Sequence, residues 1–349
     1  MATIAVDQSL ISLKINGRSG SNHDQHGGVT EEIEGLIKVY KDGHVERPQI
    51  VPYVTAALAP ELGVTSKDIV IDKFTNVWAR FYVPDSNRGN KQLIPLVVYF
   101  HGGGFCVGSA AWICYHEFLA KVAAKAGCVI MSVNYRLAPE NPLPAAYEDG
   151  IKSVMWLKQE AAGNEEYWWW SKQCDFSSVF LAGDSAGANI AHNVAARLLG
   201  SYINCYPLTL KGTILIQPFF GGEARTDSEK KMVQSPRSAL SLAASDTYWR
   251  LALPCGTNRD HPWCNPIPIP IPLGKGSTRL LPTLVCISEM DILKDRNVEF
   301  CAAMEKAGQK VEHVMYKGVG HAFQVLSKSH LSQTRTHEMI AHLNAFLHH

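Results

Sequence analysis

Ser185 stands between two glycines in Gly183-Asp184-Ser185-Ala186-Gly187, after the apolar run Val179-Phe180-Leu181-Ala182. A serine hydroxyl is a weak nucleophile at neutral pH, so a protein that uses one must hold it on a sharp turn, within reach of a base. Gly-x-Ser-x-Gly between a strand and a helix provides that turn. The helix is credible on its own terms: Ile190, Val194 and Leu198 recur every four residues as one apolar stripe, opposite Asn189, Asn193 and Arg197. A glycine-serine loop without chemistry would require neither the strand before it nor the helix after it.

A nucleophilic serine also needs donors for the oxyanion, a base, and a group that orients the base. His101-Gly102-Gly103-Gly104-Phe105 follows the apolar segment 95–100. Consecutive glycines can turn their N–H groups toward one point, so Gly103 and Gly104, with the Ala186 N–H, are the expected oxyanion hole. His321 lies in Gly318-Val319-Gly320-His321-Ala322-Phe323, after the apolar segment 311–316, whereas His192, His313 and His337 fall inside expected helices or strands. Three acids, Glu289, Asp291 and Asp295, follow the segment 283–287. Asp295 suits the start of the next helix and Glu289 lies close to the strand, which favours Asp291. In this reading Asp291 orients His321, and His321 takes the Ser185 proton. Activity should then fall on acidification through roughly pH 6.5, the ordinary range of a histidine. The chemistry calls for no metal and no organic cofactor. Cys106, beside the glycine loop, has no base placed for it and reads as a packing residue.

Positioning these groups requires several strand ends on one side of a sheet. Segments 69–74 and 77–83 alternate and read as an antiparallel edge pair; segments 95–100, 128–133, 179–182, 212–216, 283–287 and 311–316 are short apolar runs separated by helical patterns. Eight strands with intervening helices imply an α/β fold whose mainly parallel sheet is covered on both faces. Residues 1–29 are expected to be a mobile tail and 30–349 a single domain, with elements at about 30–65 and 217–275 capping the site. In the first of these, Ile33, Leu36, Ile37 and Tyr40 suit either an amphipathic helix after Thr30 or a strand at 36–40 that Asp42-Gly43 turns into a hairpin. The second contains a helix near 245–253 and an Ile-Pro run at 267–272, which cannot be helix or central strand.

Of 349 residues, 46% are hydrophobic, enough for a large core, and 33 basic against 32 acidic side chains leave a formal charge of +1. No charge run suggests a nucleic-acid surface, and no apolar run is long enough to span a membrane. The first 28 residues lack the pattern of a secretory signal. Nine cysteines without Cys-x-x-Cys pairs suggest free thiols and a cytoplasmic protein.

His101 to Phe105, Tyr135-Arg136-Leu137-Ala138-Pro139-Glu140, Gly183 to Gly187, Asp291-x-Leu293-x-Asp295 and Gly320-His321 together resemble the hormone-sensitive-lipase-like branch of the α/β-hydrolases. The stretch from Glu34 to Val45 resembles plant carboxylesterases in particular. The resemblance runs from about residue 31 to the C-terminus and includes the chain order serine, aspartate, histidine. It implies a cytosolic serine esterase with the α/β-hydrolase fold, acting on a small-molecule ester beneath a cap. Ala188 stands where many members carry glycine, which removes no catalytic group. Gibberellin receptors of the same family keep the serine turn but lack the histidine, so His321 argues against a pure receptor. Lyases and cyclases on this scaffold, among them isoflavone-forming dehydratases, are the second reading; some carry threonine at the nucleophile, and Ser185 with an intact glycine loop favours hydrolysis. Phe105, Trp112, Tyr115, Phe219, Phe220, Tyr248, Trp249 and Phe323 lie near the expected site loops or in the insertion, where they could receive an apolar or aromatic substrate group. Each also fits core packing.

Overall fold

The computed structural model describes residues 26–85, 93–163, 168–200, 203–233, 238–267 and 281–349. The tail expected at 1–29 lies outside the described residues up to 25, and all but the first residue of the Ile-Pro run does too.

The chain opens with a small antiparallel sheet, β1 (Val29–Ile33), β2 (Ile37–Tyr40) and β3 (Val45–Glu46). Of the two readings of this segment, the hairpin is the one observed, and β1 starts one residue inside the expected tail. The turn at Asp42-Gly43 decides the matter: Gly43 takes φ +86°, and its N–H donates to the Tyr40 carbonyl.

The main sheet follows. β4 (Val64–Asp72) and β5 (Val77–Pro84) are the antiparallel edge; then come β6 (Ile94–Phe100), helix α1 (Ile113–Ala126), β7 (Val129–Asn134), α2 (Ala145–Ala161), a short α3 (Trp168–Ser171), β8 (Cys174–Asp184), α4 (Ala186–Gly200) and β9 (Leu210–Ile216). The stretch after β9 contains α5 (Asp227–Lys231) and α6 (Leu242–Ala252), with no strand among its described residues. β10 (Thr283–Ser288), α7 (Lys294–Lys306), β11 (Val311–Tyr316), α8 (Phe323–Leu326) and α9 (His330–Leu347) complete the chain.

The eight strands are ordered β11-β10-β9-β8-β6-β7-β5-β4, parallel from β11 to β7. Alternation within β6 divides the core. Leu96, Val98 and Phe100 enter one apolar layer with Leu157 of α2, Val194 of α4 and Phe300 of α7. Val97 and Tyr99 enter the other, with Phe118 of α1 and Leu343 of α9. A strand buried on both faces reads as an unbroken apolar run for this reason. The chain passes from β6 to β7 on one side, then returns to place β8 on the other. Loops leaving β6 and β8 therefore part at a switch point, the position at which open α/β sheets bind their ligands.

Candidate active site

Four loops meet at that edge. Ser185, the residue after β8, has φ +53°, a left-handed conformation that non-glycine residues adopt at a cost of about 1–3 kcal/mol. Its surroundings hold it there. The Ser185 N–H donates to the Ile216 carbonyl at 2.8 Å, and its carbonyl accepts from Ala188, Asn189 and Phe219 N–H groups at 3.1, 3.2 and 3.0 Å. The turn is this tight because α4 starts against β6: a Cβ on Gly187 would lie 1.9 Å from the Phe100 carbonyl oxygen. Glycine is the residue that permits the approach.

His321 approaches from the loop after β11. The Ser185 hydroxyl donates to His321 Nε2 at 2.9 Å, and His321 Nδ1–H donates to Asp291 Oδ2 at 2.6 Å. The carboxylate fixes the proton on Nδ1, which leaves Nε2 as acceptor. Asp291 is itself held by the Leu293 N–H, which donates to Oδ1 at 3.0 Å. Burial pulls the His321 pKa down, but the charge of Asp291, its hydrogen bond and the charge of Asp184 together leave it above 6.5. The other two acids are occupied elsewhere. Asp295 accepts from the Ser228 N–H at 2.6 Å in the first turn of α5, and Glu289 accepts from the Gly318 N–H at 2.9 Å.

The loop after β6 turns its carbonyls away from Ser185. The His101 carbonyl accepts from the Tyr135 hydroxyl, that of Gly102 from His101 Nδ1–H, and that of Gly103 from the Cys106 and Val107 N–H groups. Burial holds His101 neutral, with its pKa down to about 4. Gly103 and Gly104 have φ of +112° and +57°. Their N–H groups, like that of Ala186, make no hydrogen bond among the described residues, whereas the Gly102 N–H is taken by Tyr115 and Asp184. Cys106 is fully buried, its thiol pKa pushed up by burial, and its carbonyl accepts from Arg47 Nε.

Eight aromatic residues were expected near the site, and they divide between the two layers. Phe105, Phe219, Tyr248 and Trp249 form one buried group: Phe219 stacks on Trp249 at 4.7 Å, and Phe105 lies 5.3 Å from Trp249. Phe220 packs on Phe300, in the same layer. Tyr248 covers the glycine loop, since a Cβ on Gly104 would meet its ring at 2.3 Å. Tyr115 and Phe323 sit in the opposite layer; Trp112, half-buried, packs against both layers and stacks on Tyr115 at 6.5 Å. The Tyr115 hydroxyl is committed to Gly102 and Asp184, and Phe323 packs on Tyr316.

Gln217 belongs to this site and gives no sign of it in the sequence, where Gln217-Pro218 reads as the start of the insertion. Fully buried with φ +47°, it accepts from the Ala322 N–H at 2.7 Å and donates to Ser288 Oγ at 2.7 Å. One amide thereby ties the ends of β9 and β10 to the residue after His321. Gln217→Leu orphans a buried N–H and is expected to destabilise the protein by about 1–3 kcal/mol. It should also lower the turnover of a short ester by about tenfold or more, with KM little changed, because His321 loses its brace. Denaturant unfolding and steady-state kinetics check both effects; wild-type turnover in the folded variant would remove Gln217 from the site.

The N-terminal sheet and the insertion are in contact. Arg250 of α6 makes a bidentate ion pair with Glu31 of β1 at 2.8–2.9 Å. Arg47 binds Glu140 and the carbonyls of Cys106 and Ala138. Ser185 is 6% exposed.

A family model described as the alpha/beta hydrolase fold matches residues 97–325. An Arabidopsis thaliana protein named "Probable carboxylesterase 6" is 55% identical over 94% of both chains. A 2-hydroxyisoflavanone dehydratase of Glycyrrhiza echinata is 34% identical, over 91% of this chain and 96% of its own. Among solved structures, an esterase of Pyrobaculum calidifontis superposes with a TM-score of 0.66 at 25% identity, covering 80% of this chain and 84% of the other.

Proposed function

The chain belongs to the alpha/beta hydrolase fold family, and we propose that within it the protein is a serine carboxylesterase working through an acyl-enzyme. The observation that supports this most is the unbroken run of hydrogen bonds from Ser185 through His321 to Asp291. Ser185 Oγ attacks the ester carbonyl as His321 Nε2 takes its proton. The oxyanion is received by the N–H groups of Gly103, Gly104 and Ala186, which have no other partner among the described residues. Such donors are worth about 3 kcal/mol each in a transition state. His321 passes its proton to the leaving alkoxide, then activates the water that releases the acid. Residues 30–65 and the described part of 217–275 act as a cap, joined by Arg250 and Glu31. The Phe105, Phe219, Tyr248 and Trp249 group beneath it favours small to medium esters with an apolar or aromatic part.

The dehydratase relative supports a second reading, elimination with His321 as the base. Its identity of 34% against 55% for the relative named as a carboxylesterase places it second. No described helix is long and apolar enough to cross a membrane. All nine cysteines are free, which supports a reducing, cytoplasmic site of action.

Rapid mixing with p-nitrophenyl acetate separates the two readings. Acyl transfer predicts release of p-nitrophenol with an acetyl adduct on Ser185 visible by mass spectrometry after acid quench. Folded enzyme that forms no adduct and releases no nitrophenol would favour elimination. The pH profile offers a second check. A base must be neutral to work, and a raised pKa keeps His321 protonated to a higher pH than usual. The acid limb of kcat/KM is therefore expected to have its midpoint above pH 6.5, with a plateau on the alkaline side. A midpoint at or below 6.5 would contradict the electrostatic picture of the site.

A further inference from the structure

The carboxylate next to the nucleophile has no role in the acyl-transfer scheme. Asp184 is 1% exposed, and no lysine or arginine among the described residues pairs with it. Its partners are neutral donors. The Tyr99 hydroxyl donates to Oδ1 at 2.8 Å, the Tyr115 hydroxyl to Oδ2 at 3.0 Å, and the Gly102 N–H to Oδ1 at 3.0 Å. The same Gly102 N–H also reaches the Tyr115 oxygen at 2.8 Å. A buried carboxylate without a cation is expensive unless its lone pairs are filled, and three donors fill them here. The fit leaves no slack, because a Cβ on Gly102 would lie 2.7 Å from Oδ2.

Two consequences meet at the reacting atoms. With Gly102 anchored, the loop is fixed at its first glycine, and the N–H groups of Gly103 and Gly104 stay unpaired. The second consequence is electrostatic. Asp184 is the third influence that raises the His321 pKa, after the charge and the hydrogen bond of Asp291. The groups facing Asp184 are Tyr99 from β6, Cys114 and Tyr115 from α1, Tyr135 after β7, and His321. Burial lifts Asp184 to about 6, opposed by the hydroxyls of Tyr99 and Tyr115, the His321 charge and the Gly102 N–H.

We infer that Asp184 is a positioning residue that acts in two ways. It anchors the oxyanion loop through Gly102 and Tyr115, and its negative charge stabilises the protonated form of His321. The inference rests on the carboxylesterase reading for its kinetic part. It makes Asp184 a second counter-charge beside Asp291, acting through space on the base rather than by contact with substrate.

The test compares wild type, Asp184→Asn, Tyr115→Phe and Tyr99→Phe. Each is measured by kcat and KM for p-nitrophenyl acetate across pH, and by NMR titration of the His321 imidazole, assigned against His321→Ala. Asparagine keeps an acceptor for Gly102 and Tyr99 but carries no charge. Asp184→Asn is expected to lower kcat about tenfold or more with KM nearly unchanged, and to move both the acid limb and the His321 titration to lower pH. Tyr115→Phe removes the hydroxyl that bridges Gly102 to Asp184, and with it one donor to the carboxylate; kcat should fall about tenfold. Tyr99→Phe takes one donor from the carboxylate, favours its neutral form, and should move His321 the same way as Asp184→Asn by a smaller step. It decides the electrostatic half if Asp184→Asn does not fold. A His321 titration unmoved in both would overturn that half, and wild-type kcat in Tyr115→Phe would overturn the anchoring half. The imidazole titration needs no turnover. Wild type inert toward esters would refute the carboxylesterase reading, while the charge of Asp184 would still be judged on the titration.

Discussion

Ser185→Ala is expected to lower kcat toward a short ester by roughly a millionfold, to the level that binding and the oxyanion donors sustain without a nucleophile. His321→Ala should lose about as much, and the double variant no more, because the two groups carry out one step together. Among the described residues the Ser185 side chain makes one hydrogen bond, to His321 at 2.9 Å, while the backbone at 185 is held by Ile216, Ala188, Asn189 and Phe219. Alanine leaves those backbone bonds in place. The variant should therefore keep its unfolding midpoint, so that lost activity reports lost chemistry. Strictly additive losses in the double variant would show that Ser185 and His321 do not act as a unit.

Asp291→Asn is the second large effect, a fall in kcat of about ten-thousandfold. The Leu293 N–H donates to Oδ1, so an asparagine would present its oxygen there and its NH2 to His321. A donor facing Nδ1 forces the ring proton onto Nε2, the nitrogen that must accept from Ser185. His321 would also lose the charge that most strongly raises its pKa, and the residual activity should persist to lower pH than in wild type. Steady-state kinetics across pH measure both effects. Near-wild-type turnover would transfer the role to another acid, although Glu289 and Asp295 are bonded to Gly318 and Ser228.

Much of this site was legible in the sequence because each central group follows a strand. Ser185, Asp291 and His321 lie in short polar or glycine-containing stretches after apolar runs, and a parallel sheet gathers such stretches at one edge. The choice among three acids rested on distance from the strand and the next helix, and hydrogen bonding supports it. What stayed hidden depends on contacts between distant segments. Gln217, just past β9, matters because its amide joins the end of β10 to the residue after His321, and Asp184 because two tyrosines and a glycine close around it. Neither arrangement has a spacing signature. Proximity to loops along the chain does not distinguish the two faces of a sheet; hence Tyr115 and Phe323 fall in one layer and Phe105, Phe219, Tyr248 and Trp249 in the other. The N-terminal segment supported both a helical and a strand pattern, and a pairing partner across the Asp42-Gly43 turn resolved it.

The most direct test of the acyl-enzyme mechanism is hydrolysis of p-nitrophenyl acetate and p-nitrophenyl butyrate by wild type and Ser185→Ala, purified and assayed side by side. Wild type is expected to turn over the esters and the variant to show nothing above background, with both proteins equally folded. Equal rates in the two, or no turnover of either ester by folded wild type, would contradict the mechanism.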